Sequence, residues 1–222
     1  MQGIRRGSRS ITAGAEPPME SEQQRAVTFI VRGELAFLLF IGVSVALHPG
    51  FVLKWNEGGM SNYGLHIKTA VPYTLALALL AFYSRRAALL CARGDERSRR
   101  LRLVLKSYSS ILLLVLLSSY IYSLDIVLKD VHFALGTVLV VLVGSASLWM
   151  FQLWSPSTWV WLFLFVQLSG DVLALLTALG DLHFLFLSEM LVNVGFTSLL
   201  IRNSRRVPGE GHRDTSRYDA AS

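Results

Sequence analysis

With 222 residues the chain has the length of one or two soluble domains, but 53% of it is apolar, only 16% is charged, and its mean hydropathy is +0.49. The apolar residues come in blocks of about 20, enough to span a hydrocarbon core, where a soluble amphipathic helix would show only a stripe. The net charge of +6 sits in short segments flanking those blocks, a placement that points to lipid headgroups and argues against nucleic acid. The single cysteine, Cys91, excludes an intramolecular disulfide. It reads as a buried structural thiol, with palmitoylation as the alternative.

Residues 1–25 are polar and lack the apolar core of a signal peptide, so a disordered cytoplasmic tail is expected there. Met19, ahead of the acidic run Glu20-Ser21-Glu22, is the expected start of translation. An all-α, six-helix membrane domain is expected over 26–203, with a second disordered tail over 204–222. The six spans read as 27–47, 68–90, 104–124, 130–151, 158–179 and 182–202. His48-Pro49-Gly50 to Tyr63-Gly64 reads as an outer loop, Arg93 to Arg102 as a basic loop, Ser155-Pro156-Ser157 as a turn and Gly180 as the last turn. Pro72 is tolerable in the first turn of the second span.

Orientation follows from Lys and Arg. Four basic residues lie in the N-tail (Arg5, Arg6, Arg9, Arg25), eight around the second loop (from Arg85 to Lys106) and five in the C-tail (from Arg202 to Arg217). The opposite side holds Lys54, Lys68 and Lys129. Seventeen against three predicts a plasma-membrane protein with both termini cytoplasmic. Trp149, Trp154, Trp159 and Trp161 mark the inner interface, and Trp55, Tyr63, Tyr120 and Tyr122 the outer one.

The fourth and sixth spans resemble each other at a spacing of 51 residues. Asp130-Val131-His132-Phe133 matches Asp181-Leu182-His183-Phe184, and eight of 21 aligned positions are identical. Leu65-His66-Ile67 echoes this start, so the chain reads as three helical hairpins, each second helix opening with an outer histidine. Chance similarity between apolar helices is the competing explanation.

Those repeats put His66, His132 and His183 at the outer rim. Three imidazoles with an open position would suit catalytic zinc, with Asp125, Asp130 and Asp181 as further oxygen donors. Against this, Asp is a favoured helix N-cap whose charge suits the helix dipole, and no metal-binding spacing is present. No metal and no cofactor are therefore expected.

Deeper lie residues that an inert anchor does not need. Counted from Gly180, Asp171 and Glu189 are each nine residues away and Gln167 and Asn193 each thirteen. In an antiparallel hairpin this predicts two polar rungs, about 13 and 20 Å down. Within each helix the pair is four apart and shares a face. Arg32 and Glu34 in the first span add charge near the midplane, with Arg32 expected to snorkel or to meet a carboxylate. The rungs read either as a proton- or cation-responsive site, or polar headgroup cavity, or as interhelical hydrogen-bond glue.

The outer loop ends Met60-Ser61-Asn62-Tyr63-Gly64, and this Met-Ser-Asn-x-Gly segment resembles the Ile-Ser-Asp-x-Gly signature of DRAM/Frag-type proteins and a related bacterial family of six-helix membrane proteins. His132 with Gly136 is similar to the His-x-x-x-Gly/Ala opening of a helix there. Asn62 replaces the usual acid. The resemblance implies a non-catalytic membrane role. The leading expectation is thus a non-enzymatic lipid-associated or accessory component, with anionic headgroups at 93–106 and a membrane protein as partners. A proton- or cation-coupled transporter using the intramembrane carboxylates is the alternative, and a metal-dependent lipid hydrolase the second.

Overall fold

The computed structural model describes residues 20–53, 59–91, 96–152, 157–178 and 184–205. These hold eight helices and no strand: α1 (Glu20–Leu47), α2 (Gly50–Leu53), α3 (Asn62–Leu65), α4 (Ile67–Leu90), α5 (Glu96–Ser119), α6 (Ile126–Gln152), α7 (Thr158–Ala178) and α8 (Leu185–Arg205), with a 3-10 turn over Gly59–Ser61. Six of them, α1 and α4 to α8, are long and apolar enough to cross a membrane, so the chain is a multi-pass helical membrane protein.

Several boundaries move. α1 begins at Glu20, inside the segment expected to be disordered. α5 begins at Glu96 and ends at Ser119, so most of the expected basic loop is its first two turns. Glu96 steadies those turns by bonding Arg100 one turn on, at 2.8 Å. α6 begins at Ile126, four residues before Asp130. The N-cap is Asp125, whose Oδ1 accepts the Val127 N–H at 3.1 Å, and Asp130 is an exposed residue within the helix. The N-cap proposed at Asp181, its partner His183, and Trp55, Trp154 and Gly180 lie outside the described residues.

α1 packs most extensively on α4 and α7 on α8, as two of the three expected hairpins require. The middle hairpin is less of a unit, because α5 packs more on α4 than on α6. The α7–α8 crossing is close at two glycines. A Cβ on Gly170 would meet the Ser188 carbonyl at 2.8 Å, and one on Gly195 the Gln167 Cβ at 2.7 Å. Small residues allow such approach, and close packing substitutes for the hydrophobic effect that lipid does not supply. At the end where α1, α5 and α7 begin and α8 finishes, polar bonds join the elements. Gln23 donates to the Ser204 carbonyl at 2.6 Å, Arg97 bonds Asn203, and Arg202 donates to Ser157 Oγ at 2.8 Å. Cys91 is buried at the end of α4.

Candidate functional site

Three polar clusters lie within the bundle, and they divide the expected ladder differently from the hairpin arithmetic.

The first closes the end of the bundle opposite the basic residues. Gly59, Met60, Ser61, Tyr63 and Gly64 are all buried, so the segment that bears the signature-like motif is a plug. Gly59 takes φ +56°, which turns the Met60 N–H toward α8. That N–H donates to Glu189 Oε2 at 2.7 Å. A Cβ at Gly59 would stand 2.5 Å from the same oxygen, so only glycine fits. Gly64 lets Tyr73 and Ser119 approach, since a Cβ would lie 2.9 Å from the Tyr73 ring and 3.1 Å from Ser119 Oγ. The Tyr73 hydroxyl interacts in turn with Ser119 and Ser61.

His132 holds the plug from α6. Its Nε2 bonds Ser61 Oγ at 2.8 Å and its Nδ1 bonds Ser118 Oγ at 2.7 Å. Tyr122 stacks on the imidazole, with ring centroids 4.7 Å apart, and donates its hydroxyl proton to Asn62 Oδ1. Burial, with Glu189 adding to it, pushes the Tyr122 hydroxyl up to about 12, so it stays a donor at neutral pH. Asn62 therefore acts as an acceptor.

Two expectations change here. Tyr63 and Tyr122 are buried and hold the plug, so of the expected outer aromatic belt only Tyr120 among the described residues is exposed. The histidines do not converge either. His66 lies against His48, with centroids 4.6 Å apart, and against Phe51, while both nitrogens of His132 are bound to serines. Among the described residues no group of three metal-ligating side chains is assembled.

The second cluster lies at mid-membrane. Glu34, in the middle of α1, accepts two bonds from Asn193 Nδ2, at 3.0 and 2.9 Å, and one from Thr197 Oγ1 at 3.0 Å. Asn193 Oδ1 accepts the Tyr108 hydroxyl at 2.6 Å. One chain of bonds thus joins α1, α8 and α5. Arg32 plays no part. It is exposed, and among the described residues no carboxylate reaches it.

The third cluster lies between α6, α7 and α8. Gln167 is fully buried, and its Oε1 accepts the Ser147 hydroxyl. Asp171 lies one turn along α7, where its carboxyl interacts with the Gln167 side chain, and its Oδ2 is 3.5 Å from where a Cβ on Gly144 would be.

The expected rungs therefore do not form. Glu189 bonds the plug rather than Asp171, and Asn193 bonds Glu34 rather than Gln167. The glycines give the reason. Gly195 faces α7, and Asn193, two residues earlier, points about 200° away around the helix. Thr197 is a member of the second cluster that the expected rungs leave out, although Glu189, Asn193 and Thr197 follow one another at spacing four. Tyr108 and Tyr73 carry no comparable signal.

Comparison with family models, with curated proteins and with solved structures finds no match for this chain.

Proposed function

We propose that this chain is a non-enzymatic component of the plasma membrane, with both termini cytoplasmic, that acts by associating with lipids or with another membrane protein. One observation carries the reading. Glu34, a carboxyl group midway along α1, has its polar contacts supplied by Asn193 and Thr197 of the same chain, so it works as a joint between helices. Glu189 is used in the same way, between α8 and the plug. A folded hub whose polar groups are spent internally presents mainly apolar helix flanks, the surface that lipids and membrane partners contact. Among the described residues nothing favours the hydrolase reading, since His132 is bonded to two serines.

The experiment is extraction of the full chain with its native lipid annulus, followed by lipid and protein mass spectrometry. An enriched lipid class or a stoichiometric partner is expected. Recovery of the protein with bulk lipid composition and no partner would contradict the reading.

A second reading, a proton- or cation-coupled transporter, is favoured by one observation: the carboxyl–amide pair Asp171 and Gln167 on adjacent turns of α7, inside the bundle. Flux across liposomes that is present in the wild type and lost in Asp171→Asn would establish it. Equal flux in both would remove it.

A further inference from the structure

The basic end of the α5–α6 seam holds a shallow groove of about 280 Å³, walled by Leu103 and Val104 of α5 and by Leu142, Ala146 and Trp149 of α6. Its lining is apolar, and its rim is Arg100. Leu142 and Trp149 are two turns apart, so the groove runs about 10 Å along the helix axis, toward the membrane interior.

Arg100 is set over this groove by two contacts. Its Nε donates to Glu96 Oε1 at 2.8 Å, and its guanidinium carbon stands 5.9 Å from the centroid of the Trp149 ring. Among the described residues no group bonds its two terminal nitrogens. They form the fork that binds phosphate oxygens in pairs. Arg99, the next residue back along α5, also pairs with Glu96, at 3.4 Å, so Arg100 shares that carboxylate and the net charge of the trio is positive. Trp149 has the amphipathic ring that favours the headgroup level.

An apolar slot that leads inward from a free guanidinium fork at the interface matches one class of molecule. We infer that this groove binds an anionic glycerophospholipid, its phosphate on Arg100 and one acyl chain along Leu103, Val104, Leu142 and Ala146. The inference rests on the lipid-associated reading above and gives it a site and a lipid class. Charge complementarity selects an anionic lipid over a zwitterionic one, since a zwitterionic headgroup sets its own ammonium against the arginines.

The test uses the full chain, reconstituted and then recovered from an equimolar mixture of phosphatidylglycerol and phosphatidylcholine with the same acyl chains. Retained lipid is counted by native mass spectrometry. Wild type is expected to favour phosphatidylglycerol, Arg100→Gln to lower that preference about five-fold, and Arg100→Lys, which keeps the charge without the fork, to fall between the two. Ser145→Trp, which fills the groove from its exposed edge, is expected to lower retention of both lipids. If Ser145→Trp fails to fold, the Arg100→Gln and Arg100→Lys pair still decides, because Arg100 is an exposed side chain. Unchanged preference in Arg100→Gln overturns the site. If wild type still retains phosphatidylglycerol in that case, the accessory reading stands without this groove. If wild type retains neither lipid and carries no partner from cells, both fall together.

Discussion

The bundle has two unequal flanks. α4 buries ten of its 24 residues and α5 eight of 24, and with α1, α8 and the plug they form a half that is knitted by polar bonds. α6 buries five of 27. Val131, Val138, Val141 and Leu148 of α6, with Phe165, Val172 and Leu175 of α7, stand exposed. The knitted half uses its carboxyls to join helices, at Glu34 and Glu189, whereas on the open flank Asp171 interacts with Gln167 of its own helix. A polar residue in lipid is thus not one kind of signal. Where it bridges elements it is architecture, and where a carboxyl stays within one helix it is open to a ligand or to nothing.

The sharpest break in this contrast is at Gly59. Gly59→Ala combines a left-handed backbone with a clash against Glu189 and loss of the Met60 bond, and should cost about 2–4 kcal/mol of stability in detergent. Gly136→Ala on α6, where nothing lies within 4 Å of the new methyl, is the control and should be neutral by the same unfolding assay. Next comes Asn193→Leu, which strips Glu34 of two bonds and Tyr108 of its acceptor, and should cost about 1–3 kcal/mol. His132→Phe keeps the ring stacked beneath Tyr122 but loses both serine bonds, and should cost about 1–2 kcal/mol. Asp171→Asn on the open flank should change stability by less than about 0.5 kcal/mol, read in the same thermal denaturation series.

Particular residues show how much of this was legible in the sequence. The six crossings were, because a bilayer demands about 20 apolar residues and leaves few ways to hide it. The start of α5 was not, since apolarity begins near Leu103 while the helix runs on into the basic end through Glu96 and Arg100. Glu189 and Asn193 were found by composition, and their shared face by spacing. Their partners were not, because an antiparallel hairpin fixes depth but not rotation. Gly170 and Gly195 carried that missing information, as small residues mark the face that touches a neighbour. The plug reads as a loop because its glycines, Ser61 and Asn62 break any apolar run of helical length. The burial of the plug depends on Tyr73, Ser119 and His132, which arrive from distant parts of the chain.

The central claim is that a mid-membrane carboxyl serves as an internal joint, and a double-mutant cycle on Glu34 and Asn193 tests it most directly. Unfolding of Glu34→Gln, Asn193→Leu and the pair together should show a coupling of about 1 kcal/mol or more between the two sites. Strictly additive losses would contradict it.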